Sequence, residues 1–298
     1  MRVLIVGAGG VGGYIGAQLI RNTDANVTFL ARKEHLKAIQ KNGLHIIDNN
    51  TPYTLYPSNV VANTQNEGVF DLIIIAVKSY DLKDTLKELS KNIDANTVIL
   101  PLLNGIDHNT TIKTYYPETK VLKGCIYIIS HIAKPGTIIK KGKIFKLCWG
   151  DPNAPLEEYK EIAALFDQAK LRHQYTQNIE YEIWKKYLFI AAMAALTSYY
   201  KKPMDRIYSE HRDALEELLK EIIAIGKSHG VPIGQEEFQN TLLQASKVLP
   251  GAKTSLQLDL EKGKRGEIDS LLGYIVASAQ KQHIQTPLMQ KLYSSLQS

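Results

Sequence analysis

Four groups of residues in this chain have types and spacings that could do chemistry. The first is Gly7-Ala8-Gly9-Gly10-Val11-Gly12, which follows the apolar run Arg2–Val6 and precedes an apolar-periodic segment. Strand, tight turn and helix in that order make a cradle for a pyrophosphate. Gly7 allows the turn, Gly9 lets the backbone approach the phosphates, and Gly12 lets helix and strand pack closely. The helix then offers its free N–H groups and its positive dipole end to the anion.

The second group is Arg32 with Lys33, just past the strand-like Val27–Leu30. An Asp or Glu there would accept from both hydroxyls of an adenosine ribose. An arginine instead holds a 2′-phosphate by a forked, charged hydrogen-bond pair. Arg32 as main contact, with Lys33 as helper, points to NADPH rather than NADH; Glu34 stands beside them as an opposing charge. The third group is Lys78 and Asn104, at the ends of the apolar runs Asp71–Val77 and Thr97–Leu102. Open parallel sheets bind ligands beyond the carboxyl ends of their strands. Lys78 offers a positive charge to a phosphate or carboxylate, and Asn104 an amide to the nicotinamide end or the substrate. A solvated strand-end lysine and an Asn-Gly turn are the structural alternatives.

The fourth group is Lys185 and Lys186, beside Trp184, Tyr187 and Ile190 in the helical Ile179–Leu196. From Tyr187 onward this segment is apolar all round and should be buried. A lysine on the approach to a buried helix is partly desolvated and serves as an acid near neutral pH, unless it simply extends to solvent. Glu267 and Asp269 open a later amphipathic segment, Glu267–Gln282, where acids favour the helix dipole.

The elements that must position these residues divide the 298 residues into two parts. Up to about Asn178 strands alternate with helices: a small hairpin or a pair of short strands over Leu44–Ile47 and Tyr53–Tyr56, then antiparallel strands between Lys120 and Gly150 that extend the main sheet. An amphipathic helix over Leu156–Leu171 and a last strand over His173–Gln177 complete this part. Later segments have helical period: Asp205–His229 as one long helix, Gln235–Val248, Thr254–Glu261, Glu267–Gln282, and a final helix started by Thr286-Pro287. The expected fold class is α/β, with a doubly wound sheet over residues 1–178 and an all-α domain over 179–298. The apolar fraction is 44% and the charged fraction 22%, ordinary for a soluble globular protein. Two cysteines make no disulfide framework, and neither they nor the eight histidines show metal-ligand spacing. The N-terminal apolar run is too short for a signal peptide, and no run reaches membrane-spanning length. These features suit a reducing, cytoplasmic setting. The net charge of +6 is spread along the chain, with small groups at Lys140–Lys143 and Lys262–Arg265. A solvated surface explains both groups better than nucleic-acid binding, and the basic balance suits an anionic cofactor and substrate.

Over nearly its full length the chain resembles the ketopantoate reductases (2-dehydropantoate 2-reductases). Val3–Gly12, Arg32, Lys78 and Asn104-Gly105 match that family's cofactor half in order. Trp184-Lys185-Lys186 matches its lysine helix, and Ser255, Asp259, Glu267, Ile268 and Asp269 match its later serine-acid-E-I-D series. The resemblance implies a Rossmann-type N-terminal domain and an NADPH-dependent reduction of a small 2-oxo acid. It gives the general-acid role to Lys186 rather than Lys185. It makes Glu267 the residue that holds the lysine or the substrate hydroxyl, Ser255 the carboxylate contact and Asn104 a substrate contact. Asn104 and Glu267 also fall among the implied cofactor contacts, and the two domains would close around the substrate. The chain departs from the family at Leu103, where a Gln is usual, and at Ile190 and Ala194, where asparagines are usual. Losing an amide built for a substrate hydroxyl can change the substrate. A paralogous reductase of another 2-oxo acid, and a catalytically silent NADP(H) sensor, are therefore the rival readings. Apolar faces on the C-terminal helices would permit a homodimer.

Overall fold

Alternating side chains along the first strands enter two different cores, so both faces of the first sheet are covered. The computed structural model describes residues 1–297. Two compact units divide the chain: Met1–Leu103 with His108–Ile179, and Asn104–Asp107 with Glu180–Ser298.

The first unit begins with β1 (Arg2–Val6), α1 (Gly10–Asn22), β2 (Asn26–Leu30), α2 (Lys33–Asn42), β3 (Leu44–Asp48), β4 (Thr51–Leu55), β5 (Asn59–Val61) and β6 (Leu72–Ile75). It continues through α3 (Leu82–Glu88), β7 (Val98–Pro101), α4 (His108–Tyr115), β8 (Lys120–Val121), β9 (Lys123–Lys134), β10 (Thr137–Gly150), α5 (Lys160–Gln168) and β11 (His173–Tyr175). The first sheet is all parallel, in the order β5-β2-β1-β6-β7-β8. In sequence order along that sheet this is 3-2-1-4-5-6, the doubly wound dinucleotide-binding arrangement. Val3, Ile5, Val27, Phe29, Leu72 and Ile74 face the core that holds α1 and α2. Leu4, Val6, Leu30, Ile73, Ile75 and Ile99 face the core that holds α3 and α4. The period of two in burial follows from the strand geometry.

The strands after Lys120 do not extend that sheet as expected. Only Lys120–Val121 joins it, in parallel. β9 and β10 pair with each other, and β10 takes β3 and then β11 along its other edge, making a second sheet of five strands that includes the β3–β4 hairpin. The reason lies in α1, which packs on both sheets. A Cβ on Gly13 would stand 2.0 Å from Ile138 of the second sheet, and one on Gly16 would stand 2.3 Å from Phe29 of the first. The glycines thin the helix on two sides, and long strands with inward Ile126, Ile138, Leu147 and Trp149 fill the far side. Cys125 and Cys148 stand opposite each other in the β9–β10 pair, and both are buried. Lys140 is not solvated as its basic neighbours are. It is buried, and its ammonium lies 3.4 Å from Asp48 and donates to the Gly142 carbonyl at 2.7 Å. Residues Leu156–Tyr159 form a 3-10 turn ahead of α5.

The second unit holds α6 (Ile179–Tyr200), α7 (Met204–Glu210), α8 (Arg212–Ser228), α9 (Gln235–Ser246), α10 (Ser255–Glu261), α11 (Tyr274–Gln282) and α12 (Pro287–Gln297). Ala191–Leu196 of α6 are buried on every side, in the centre of this unit's core. The helix expected over Asp205–His229 is broken at His211, whose ring stacks on Tyr200 with centroids 3.7 Å apart. The helix expected over Glu267–Gln282 starts with a π turn, Asp269–Gly273, before α11. Thr254 is the cap of α10, its hydroxyl accepting from the Gln257 amide at 3.2 Å. No helix among the described residues is long and apolar enough to cross a membrane.

Candidate active site

In the first unit, the glycine turn leaves β1 at Gly7, whose φ of +98° suits glycine alone. The Gly7 amide donates to the Leu30 carbonyl at 3.1 Å, which ties the turn to β2. A Cβ on Gly12 would stand 2.2 Å from the Gly7 carbonyl oxygen, so helix and strand meet at the distance the motif requires. At Gly9 a Cβ would meet nothing within 4 Å. Gly9 is also the cap of α1, with no side chain to satisfy the first amides. The first bond of the helix runs from Gly13 to Gly9, so the amides of Gly10, Val11 and Gly12 have no intrahelical acceptor. Open space beside an uncapped helix start fits a diphosphate. Ala8 is buried, behind the turn.

Arg32 caps α2 at the carboxyl end of β2. Its guanidinium is 3.5 Å from Glu88, with the two side chains 48% and 41% exposed. Such a long, solvated pair holds Arg32 weakly and leaves it available to a phosphate. Glu34, the opposing charge noted in the sequence, pairs instead with Lys37 at 2.8 Å. Lys78 follows β6 and caps the short 3-10 turn Ser79–Asp81, beyond the same sheet edge as the glycine turn.

In the second unit the two adjacent lysines have different partners. Lys185 is 3.2 Å from Glu182 and lies over the Tyr181 ring. Lys186 donates to the Asn104 amide oxygen at 2.9 Å. Asn104–Asp107 belongs to this unit although it follows β7 in sequence, and Ile106 packs on the core around α6. Glu267 is only 5% exposed and sits just before the π turn. The next residue of α6, Tyr187, is fully buried and donates to the Leu271 carbonyl of that turn at 2.7 Å. Burial raises the Tyr187 phenol well above its ordinary value, so the hydroxyl stays a donor. Further along α6, Thr197 shares a 2.8 Å hydrogen bond with Thr254, which starts the helix bearing Ser255. Thus α6 carries Lys186 and holds, through Tyr187 and Thr197, the starts of the segments bearing Glu267 and Ser255. Asn104 and Lys186 are joined directly, whereas Ser255 is exposed at the first position of α10. Ile190 and Ala194 continue the Lys186 side of α6 at helical spacing and present apolar surface.

Two residues of this framework escaped the sequence reading. Tyr187 read only as part of a buried apolar run, and its hydroxyl contact needs the fold. His35, in the first turn of α2 with its Nε2 2.7 Å from the Ala8 carbonyl oxygen behind the glycine turn, is one of eight histidines in the sequence, and its spacing of three from Arg32 was the available signal.

Residues 3–153 match the family described as ketopantoate reductase PanE/ApbA, and residues 178–298 match the family described as its C terminal domain. The chain is 31% identical to a Bacillus subtilis protein described as uncharacterized oxidoreductase YkpB, over 100% of this chain and 98% of the relative. It is 26% identical to the 2-dehydropantoate 2-reductase of Streptococcus pyogenes, covering 96% and 94% of the two. The crystal structure of 2-dehydropantoate 2-reductase from Porphyromonas gingivalis superposes with a TM-score of 0.88 at 29% identity, over 100% of this chain and 99% of that one. Sheet order, glycine turn and matches in both halves agree, and the chain belongs to the ketopantoate reductase family.

Proposed function

We propose that this oxidoreductase reduces 2-dehydropantoate to pantoate with NADPH, the step that feeds pantothenate and coenzyme A synthesis. The observation that carries the reading is the Lys186–Asn104 hydrogen bond. It presents an oriented ammonium from a largely buried helix, as a carbonyl reduction requires. When bound, NADPH supplies the hydride. Lys186 donates a hydrogen bond to the substrate carbonyl oxygen and gives up its proton as negative charge develops there, acting as general acid and electrostatic stabiliser together. Asn104 limits the rotamers of Lys186 by accepting one of its N–H donors. Glu267 holds the lysine or the substrate hydroxyl from its buried place. Ser255, with its exposed hydroxyl, meets the substrate carboxylate. Arg32 binds the 2′-phosphate, Lys78 an anionic group beside the glycine turn, and residues 7–12 the pyrophosphate. Residues 1–178 serve as the cofactor domain and 179–298 as the catalytic domain, in a cytoplasmic homodimer.

A second reading rests on Ile190 and Ala194. Their apolar side chains follow Lys186 along α6 and offer no partner to a substrate hydroxyl, which favours a 2-oxo acid with an apolar side chain. The deciding experiment follows NADPH oxidation with 2-dehydropantoate beside a panel of other 2-oxo acids. Efficient turnover of 2-dehydropantoate alone supports the first reading. Turnover only of another acid replaces it with the second. Tight binding without turnover on any acid refutes both and leaves a dinucleotide sensor.

A further inference from the structure

His35 lies in the first turn of α2, three residues after Arg32. One ring nitrogen, Nε2, is 2.7 Å from the Ala8 carbonyl oxygen. The other, Nδ1, is 3.0 Å from the Gly136 backbone amide. A backbone N–H can only donate, so Nδ1 carries a lone pair and the proton resides on Nε2, where Ala8 accepts it. The two neighbours together demand one neutral tautomer. Gly136 is itself anchored in the β9–β10 turn, its carbonyl accepting from the His45 amide at 2.8 Å.

The Ala8 carbonyl shares its peptide plane with the Gly9 N–H. In a trans peptide the two point in opposite directions. A carbonyl held inward by His35 therefore turns the Gly9 N–H outward, at the residue whose missing Cβ leaves open space. We propose that His35 is a positioning residue for dinucleotide binding: as the neutral Nε2–H tautomer it pins the Ala8–Gly9 peptide and so aims the Gly9 N–H at the pyrophosphate. This rests on the cofactor reading above, and it assigns to the second sheet, through Gly136, a part in forming the phosphate cradle.

A proton added to Nδ1 would face the Gly136 N–H and break the tether. Burial lowers the His35 imidazole below its ordinary value, and the Ala8 carbonyl opposes that only in part. The charged groups around it are engaged elsewhere or lie in solvent. Glu34 and Lys37 of α2 pair with each other, Arg32 pairs with Glu88, and Lys134 at the end of β9 is exposed. With the folded value below the unfolded one, the contribution of His35 is complete above the ordinary histidine value of about 6.5 and is lost as the pH falls through the lowered one.

The test uses the full chain, its H35A and H35Q variants, and NADPH as the probe. The glutamine amide repeats the donor and acceptor of the neutral ring. Expected are a loss of NADPH affinity of about tenfold or more in H35A, most of it recovered in H35Q. The loss falls on KM for NADPH rather than on KM for the 2-oxo acid. Wild-type affinity declines on acidification through the His35 titration, and that of H35Q does not. Nitrogen NMR of the wild-type imidazole should show a proton on Nε2 only. H35A binding as tightly as wild type, H35Q binding as weakly as H35A, or a proton on Nδ1 each overturns the inference. Should H35A not fold, H35Q and the tautomer measurement decide. Failure of the wild-type chain to bind either NADPH or NADH overturns the cofactor reading and this inference together, an outcome distinct from equal binding by wild type and H35A.

Discussion

Lys186 reaches Asn104 across 82 residues of sequence, its ammonium donating to the amide oxygen at 2.9 Å, while the adjacent Lys185 turns to Glu182 on its own helix. The two lysines therefore have separable roles. Lys186→Ala should lower kcat by about 10²- to 10⁴-fold, the range for a lost general acid. Lys185→Ala should stay within about threefold, because Lys185 is held in a half-buried pair with Glu182 on its own helix and it is Lys186 that contacts Asn104. Asn104→Ala leaves the ammonium less ordered, and a fall of about ten- to a hundredfold in kcat is expected from the lost orientation. Steady-state NADPH oxidation reads all three. Turnover surviving in K186A but lost in K185A assigns the acid to the other lysine.

Much of this arrangement could be read before any fold was in view, and the parts that could not have physical causes. The strand ends bearing Arg32 and Lys78 were legible because a parallel sheet puts its ligand side at one edge, and apolar runs mark where each strand stops. The second sheet was not. β10 shares its edge between β3 and β11, and such long-range pairing leaves no local periodicity. The break at His211 was hidden because Arg212–Ser228 continues the helical pattern at once, and the stacking on Tyr200 that accompanies it is a tertiary contact. The π turn after Glu267 was hidden for the same reason: its partner hydroxyl, on Tyr187, is 84 residues away from Leu271. His35 needed both of its backbone neighbours, one of them 101 residues distant.

Arg32 and Glu88 set a second expectation. Their 3.5 Å contact is solvated on both sides. Arg32→Ala should weaken NADPH binding by about tenfold or more while NADH binding changes little, since only the 2′-phosphate loses its forked donor. Glu88→Ala removes a competitor for the guanidinium and should tighten NADPH by at most about fivefold. Titration calorimetry with both dinucleotides checks the pair. Equal losses for NADPH and NADH in R32A would show that Arg32 does not read the 2′-phosphate.

Glu221 is a stability element away from the proposed chemistry. Its carboxylate, buried on α8, accepts from the amides of Leu288 at 2.9 Å and Met289 at 2.8 Å, and so caps α12 just inside Pro287. Glu221→Ala leaves two helix-start N–H groups without that acceptor and should cost about 2 kcal/mol. Glu221→Gln keeps one acceptor but turns an amide N–H toward the other donor, so it should cost nearly as much. Urea unfolding measures both. The idea fails if either variant unfolds at the wild-type midpoint.

Ile190 and Ala194 give the substrate prediction. Both lie one and two helical turns beyond Lys186, Ile190 half-buried and Ala194 buried in the core around α6. Ile190→Asn adds an amide where a substrate hydroxyl could use it, without enlarging the side chain. A site that hydrogen-bonds a hydroxyl rejects the analogue lacking it far more strongly than an apolar wall rejects the hydroxylated one. I190N should therefore raise the ratio of kcat/KM for 2-dehydropantoate to that for its deoxy analogue, 3,3-dimethyl-2-oxobutanoate, by about tenfold or more. Ala194→Asn has less room, because Ala194 is packed on all sides, and its gain should be offset by lost stability. An unchanged ratio in I190N would remove Ile190 from substrate recognition and return the substrate question to Ser255 and Glu267, whose alanine variants should then change KM for the two acids unequally.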